Sequence, residues 1–461
     1  MSSKSTPKEP EVELADGKRR WVYPQRIKGK FDTIRRWTFL VLQAWMFVTP
    51  WIYWKGLPLI QVDLAERRMF VFGGIYTAQD TVFLFLAILA SAFTLFLITA
   101  LWGRVWCGYA CPQTVFLDGW IHRIEGWIEG SRGKRMALDK KPWTGEKIRK
   151  KVLKHAIFFV LALFVSMTTV AWFADTKTLF TGGGSLAQYL TVAFFTVLWY
   201  ADFAWFREQF CNYLCPYARF QGAMSGPNSY TVTYDVMRGE PRKKGRRKPG
   251  MENVGACIDC NKCVAVCPQG IDIRDGFQLE CIACTRCVDA CVSVMDKLKQ
   301  PTLVRYSTVN LDQGAKEHKW VRFRTVLYSA LLLGIGITFS VLAANRHDIQ
   351  GTVSRTPGTL FTVDDDGWIR NTYLVRVVNN HPGDPTEFEL TVEGLPGAEV
   401  IAPPVKLPAA EAMTVPLVVR VAPGTKLERT APMQVKITAP HDAITLNATF
   451  KSNTATGGAG G

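Results

Sequence analysis

Five stretches of the 461-residue chain are apolar for long enough to cross a bilayer, beginning near Trp37, Thr81, His155, Tyr189 and Phe323. A helix needs about 20 such residues to span roughly 30 Å of hydrocarbon, so the pattern predicts about five transmembrane helices. After the last of them the period falls to two. YLVRVV, EFELTV, TVPLVVRV, MQVKIT and ITLNATF alternate apolar with polar residues and are broken by NNHPGDP, EGLPGAE and APGTK. Short half-buried strands between Pro- and Gly-rich turns predict an immunoglobulin-like β-sandwich. NTATGGAGG at the end reads as a flexible tail. The first twenty residues lack the apolar core of a secretory signal, so that end is expected to stay uncleaved and cytoplasmic.

Charge sets the expected orientation. The formal excess is +16, which could suit a polyanion, but cytoplasmic loops of membrane proteins collect Lys and Arg, and no nucleic-acid motif accompanies the charge. Nucleic acid is therefore not an expected partner. Arg19, Arg20, Arg26, Lys28, Lys30, Arg35 and Arg36 precede the first span. Lys134, Arg135, Lys140, Lys141, Arg149, Lys150 and Lys151 lie between the second and third, and RKKGRRK (242–248) follows the fourth. Those sides read as cytoplasmic. Segments 55–80 and 174–188, poor in base or balanced by Asp63, Glu66, Asp80 and Asp175, read as the far side. RKKGRRK suits anionic lipid head groups or an acidic electron carrier.

The expected organisation follows. It comprises a cytoplasmic segment (1–36), a four-helix membrane domain (37–222), a cytoplasmic linker and cysteine-rich domain (223–322), a fifth transmembrane helix (323–345) and a periplasmic sandwich (346–461).

All twelve cysteines fall into tight groups. Disulfide frameworks scatter cysteines to close long loops, whereas short fixed spacings place several thiolates around one metal centre. Cys257, Cys260, Cys263 and Cys267 form one C-x2-C-x2-C-x3-C run, and Cys281, Cys284, Cys287 and Cys291 form another. That run wraps a [4Fe–4S] cube, with the fourth cysteine ligating the other cube. The expected sets are Cys257, Cys260, Cys263 with Cys291, and Cys281, Cys284, Cys287 with Cys267. Zinc also binds C-x2-C pairs, but two complete four-cysteine runs favour iron–sulfur. Val292 stands after the last cysteine where Pro268 follows Cys267, a departure that leaves the ligand count intact.

The other four cysteines sit in a repeated motif, W106-C-G-Y-A-C111-P-Q-T-V-F116 and F210-C-N-Y-L-C215-P-Y-A-R-F220. Repetition of span plus motif suggests internal pseudo-symmetry around a functional centre. Single buried cysteines act as small hydrophobes, but two matching C-x3-C-P elements point to function. Cys107, Cys111, Cys211 and Cys215 could hold Cu(I), hold iron–sulfur, or cycle as a disulfide, and the pattern does not choose. Asp202, ionisable within an apolar run, is a candidate for proton handling or ligand contact, or an interfacial residue with a local partner. His122 and His155 read as interfacial, with Phe116, Trp120, Ile124 and Trp127 marking an amphipathic helix on the membrane surface. His381 and His441 read as isolated surface histidines.

With two C-x3-C-P membrane motifs, a dicluster ferredoxin split by PQGIDIRDG and a sandwich after the last span, the chain resembles the cytochrome c oxidase accessory proteins of the FixG, RdxA and CcoG type. The likeness runs over nearly the whole chain. More distantly, the membrane part is similar to polyferredoxin subunits of nitrate and nitrous oxide reductases. The nearer resemblance implies a multi-pass protein of the bacterial inner membrane that assists assembly of the cbb3-type oxidase as a cupric reductase supplying Cu(I). It implies that the eight ferredoxin cysteines hold the clusters and that Cys107, Cys111, Cys211 and Cys215 form a membrane redox or copper motif. Expected partners are membrane lipid, a cytoplasmic or quinol electron donor, copper, and oxidase subunits or copper chaperones. Two rival roles remain: a quinol-linked electron-carrier subunit that never touches copper, and a non-catalytic assembly factor.

Overall fold

The computed structural model describes residues 21–64, 66–77, 80–226, 228–245, 254–312, 320–358, 360–383, 385–425 and 427–452. The N-terminal twenty residues, Arg246, Arg247 and Lys248 of the basic run, and the glycine-rich tail lie outside them.

Among the described residues, four helices are long and apolar enough to cross a membrane: Thr81–Trp102, Gly145–Ala171, Leu186–Phe206 and Phe323–Ala344. They fall at four of the five expected positions. At the first, the chain forms a 19-residue helix, Lys30–Val48, that carries Asp32, Arg35 and Arg36 in its opening turns. Its patterning is inside out. Arg35, Phe39 and Gln43, spaced by four, are buried, while Trp37, Leu40, Val41, Trp45 and Val48 are exposed. Residues four apart share a helical face, so this helix turns a partly polar stripe to the protein and an apolar one outward, as a lipid-facing surface requires.

Local signals start two of the others. Thr144 accepts from the Lys147 amide to cap the Gly145–Ala171 helix, and Ser185 with Gln188 forms a reciprocal capping box before Leu186. Gly145–Ala171 and Leu186–Phe206 pack through a core of Phe158, Ala162, Val165 and Phe203. Phe116, Leu117, Ile121 and Ile124 complete that core. Segment 112–128 is therefore not a helix lying on the membrane surface. Asp118, His122 and Glu125, on what would be its wet face, are buried too.

The chain divides into two compact units. Residues 84–337, with those before Ile52, hold most of the membrane helices and the ferredoxin domain. There the strands Thr231–Tyr234 and Val304–Ser307 pair antiparallel and bracket the cysteine runs. The second unit, 52–83 with 338–461, is mainly the sandwich. One of its sheets runs Ala398–Ile401, Ala412–Val421, Ile369–Asn379, Ile349–Arg355, and the other Val405–Leu407, Thr386–Glu393, Thr430–Thr438, Ala443–Lys451. The expected alternation is met: Tyr373, Val375 and Val377 point into a core shared with Leu417, Val419, Val435, Ile437 and Phe450. The unit also contains a three-stranded meander, Ile60–Asp63, Arg68–Val71 and Gly74–Tyr76, which the hydrophobic pattern did not announce.

Candidate redox site at the membrane cysteines and the ferredoxin

The two C-x3-C-P elements repeat in backbone as well as in sequence. Each donates an amide from its second cysteine to the carbonyl of the aromatic before its first: Cys111 to Trp106 and Cys215 to Phe210, both at 2.9 Å. Each second cysteine is extended, and the following proline opens a new helix, Pro112–Phe116 or Pro216–Met224. Proline suits that first helical position, where its missing N–H goes unused. Four residues before each first cysteine the chain takes a positive φ, +56° at Gly103 and +53° at Arg207. Glycine does this freely. Arg207 is held there by its own side chain, which grips Glu125 with two bonds of 2.9 and 3.0 Å.

The four cysteines lie near enough for their charges to be felt by one another. Cys111 feels the charge of both Cys107 and Cys215, and Cys211 that of Cys111, Cys107 and Cys215. Burial pushes the Cys111 thiol up to about 11, with Cys107 adding to it, and pushes Cys211 up as well. Burial also raises Cys107, against the pull of Arg104 and Gln221, whose Oε1 lies 3.4 Å from the Cys107 Sγ. Such thiols stay protonated until a soft cation displaces the proton. Gln113, two residues beyond Cys111, donates to Asp202 Oδ1 at 2.8 Å and to the Arg207 carbonyl at 2.9 Å. Asp202 is thus buried beside the first motif, with its Oδ2 unpaired among the described residues.

The ferredoxin loops are a second repeat. Asp259 and Asn261 in one, and Ala283 and Thr285 in the other, take positive φ at matching positions between cysteines. This double reversal curls each loop around a centre. Arg274 of the linker fastens the first loop, bonding Asp259 and Asn261 at 2.6 Å each and pairing with Asp272. Two cavities result. Cys257, Cys260, Cys263 and Cys291 line one, and Cys267, Cys281, Cys284 and Cys287 line the other, with Cys263 also on its wall. Each contains the fourth cysteine of the opposite run. Burial raises the metal-free Cys263 thiol to about 12 and Cys281 to about 11, and iron takes such soft donors as thiolates by displacing the proton. The donor set fits two [4Fe–4S] clusters, and the chain carries them.

The membrane motif and the ferredoxin touch. Cys107, Ile282 and Cys284 share one buried apolar cluster, with Tyr217 packed against it. A Cβ on Gly108 would fall 2.6 Å from the Ile282 carbonyl oxygen and 2.9 Å from the Cys284 Cα. Only glycine allows that approach. The next residue, Tyr109, bonds Thr285 through its hydroxyl at 2.6 Å, and Arg35 Nε donates to the Gly108 carbonyl at 2.9 Å. Asp289 of the ferredoxin helix accepts the Phe31 and Asp32 amides at the start of Lys30–Val48. Arg104 also donates to the Leu279 carbonyl.

Beneath this contact lies a buried charge network. Asp118 pairs with Arg35 at 2.6 Å, Arg286 at 3.3 Å and His122 at 2.7 Å. The far nitrogen of His122 meets Glu208 at 2.8 Å, and Glu125 binds Arg207, Arg135 and Lys154. Burial works to raise the Glu125 carboxyl, but Arg207, Lys154 and His122 outweigh it and hold it down at about 2. Burial works to lower His122, and Asp118 and Glu208 outweigh it, leaving the imidazole raised above its ordinary 6.5. Glu125 therefore stabilises fully above pH 4.5 and loses that contribution as pH falls toward 2. His122 contributes fully below 6.5 and loses its share as pH rises through its folded value. The melting temperature of the detergent-solubilised chain should fall between pH 4.5 and about 2, and Glu125→Gln should flatten that fall.

Apolar spanning helices, two [4Fe–4S] clusters and a repeated C-x3-C-P motif whose Cys107 packs on the ferredoxin define a membrane iron–sulfur electron-transfer protein. Family models match at residues 206–309 (4Fe-4S dicluster domain), 84–135 (4Fe-4S binding domain) and 339–453 (IG-like fold at the C-terminal of FixG). The nitrogen fixation protein FixG of Rhizobium meliloti is 38% identical over 83% of this chain and 80% of its own. Protein RdxB of Cereibacter sphaeroides is 38% identical over 88% of this chain and 90% of its own. RdxA of the same organism is 36% identical over 82% and 83%. The chain belongs to the FixG/RdxA family.

Proposed function

We propose that the protein is a cupric reductase that supplies Cu(I) for assembly of a cbb3-type cytochrome oxidase. The observation that carries this reading is the close approach of Gly108 to Ile282 and Cys284, which sets Cys107 of the membrane motif directly against the ferredoxin. Cys257, Cys260, Cys263 and Cys291 hold one cluster and Cys281, Cys284, Cys287 and Cys267 the other. The clusters supply one-electron transfer from a cytoplasmic or quinol donor. Cys107, Cys111, Cys211 and Cys215 take Cu(II) as substrate, and one added electron makes it Cu(I), which thiolates retain in preference to harder ligands. Gln221, at Cys107 Sγ, orients that thiol. Cys260 is exposed, so its cluster is the one a cytoplasmic donor reaches. Positive-inside charge supports a cytoplasmic ferredoxin and a periplasmic sandwich in the inner membrane, and oxidase subunits or copper chaperones receive the product.

A second reading is favoured by the 4Fe-4S match at 84–135, which contains Cys107 and Cys111 and no other cysteine. On that reading the membrane cysteines hold a further cluster in a quinol-linked carrier. Anaerobic metal analysis separates the two. About eight irons per chain, unchanged when all four membrane cysteines become serine, supports copper as the substrate. Extra iron lost in that variant overturns it.

A further inference from the structure

The sandwich brings together three residues that the sequence spreads over almost a hundred positions. Asp348 precedes the Ile349–Arg355 strand, His381 follows Ile369–Asn379, and His441 sits in the turn before Ala443–Lys451. The His381 and His441 rings stack with centroids 3.9 Å apart, and His381 Nδ1 lies 3.2 Å from Asp348 Oδ2. One ligand atom from each of the three lies within 4.8 Å of the others. Neither histidine is isolated.

The loops that carry them are tied to one another. Asp442, next to His441, accepts the Asp348 amide at 2.8 Å, the Ile349 amide at 3.3 Å and His347 Nδ1 at 3.0 Å. The Asn380 amide donates to the Asp348 carbonyl at 3.0 Å. Asn379, fully buried, accepts the His381 amide at 3.0 Å and donates to the Leu407 carbonyl at 3.0 Å. The backbone is therefore set before any ligand arrives, which lowers the ordering cost of binding. The rings lie 28° from parallel, so chelation needs His441 to turn its edge toward the ligand. That side chain is exposed and free to do so.

We infer that Asp348, His381 and His441 form a divalent transition-metal site, and that Cu(II) is the ion it binds most tightly. Two imidazoles and a carboxylate are borderline-to-hard donors, and for such a set first-row affinity peaks at Cu(II). No sulfur takes part, so the site holds copper in the oxidised state, the opposite preference to the membrane thiols. The inference stands independently of the role proposed for those thiols.

The test adds one equivalent of Cu(II) alone to the oxidised full-length protein in detergent and records electron paramagnetic resonance and a chelator competition titration. Wild type should show hyperfine coupling to two imidazole nitrogens. His381→Gln and His441→Gln should each lose one of them, with affinity at least about tenfold weaker. Asp348→Asn should weaken binding with both nitrogens kept. The same signal should persist when Cys107, Cys111, Cys211 and Cys215 are all serine, which separates this site from the membrane centre. Copper should raise the melting temperature of wild type and not of His441→Gln, whose copper-free melting should match wild type. A spectrum without nitrogen coupling, or one unchanged in the His381→Gln/His441→Gln double variant, overturns the assignment.

Discussion

Replacing Cys211 and Cys215 together by serine should abolish Cu(II) reduction while leaving the ferredoxin absorbance intact. Loss of an outer hydrogen-bond partner already costs a metal site about 10–100-fold, so removal of two direct sulfur donors should exceed about 100-fold. The fold should survive. The Cys215 amide bond to Phe210 and the helix start at Pro216 are properties of the backbone, not of the thiols. Gly108→Val should fail differently. Its side chain would push on the Ile282 and Cys284 backbone, which cannot yield as a flexible side chain would. Copper binding and both clusters should remain while reduction slows. Equal loss of binding and rate in the two variants would contradict the separate roles given to thiol and glycine.

Asp118→Asn should produce the largest loss of stability of any single exchange in the unit that holds the ferredoxin. It leaves Arg35 and Arg286 buried without their counter-charge and removes an acceptor from His122. Breaking one partner of a buried pair typically costs about 3–5 kcal/mol. The Arg36–Asp32 pair on the Lys30–Val48 helix is a fair comparison, because the Arg36 side chain is 45% exposed. Its removal should cost well under about 1 kcal/mol. Thermal unfolding of both variants in one detergent checks the contrast, and similar midpoints would show that the Asp118 pairs are dispensable.

The sequence was most informative where ligation or period is local. Each C-x2-C loop carries its own chemistry within a few residues, and the structure adds that both loops reverse at the same two positions. The C-x3-C-P repeat was equally plain, and its matching positive φ at Gly103 and Arg207 was hidden only because glycine and arginine look unrelated. Contacts across long separations were not legible. Cys107 meets Cys284, His122 meets Glu208, and His381 meets His441, with no local pattern naming the partner. Charged residues have a second role that their spacing does not show. Arg35, Arg135 and Lys151 count as bases flanking the membrane, yet each is engaged in an ion pair with a buried or half-buried carboxylate. His122 and Glu125 looked like the wet face of a surface helix because paired buried charges have the same sequence pattern as solvated ones. The helix at the first expected span carries Asp32, Arg35 and Arg36 in its opening turns, and its polar stripe faces inward, where Asp118 and the Gly108 carbonyl engage Arg35.

The most direct test of the central claim is a single-turnover experiment on the full-length protein, reduced anaerobically with dithionite, freed of reductant and mixed with chelated Cu(II). The account predicts that the visible absorbance of the oxidised clusters returns as Cu(I) forms, one electron per copper, in wild type and not in the chain with serine at Cys107, Cys111, Cys211 and Cys215. Cluster reoxidation at the same rate in both proteins, or in wild type without Cu(I) appearing, would contradict it.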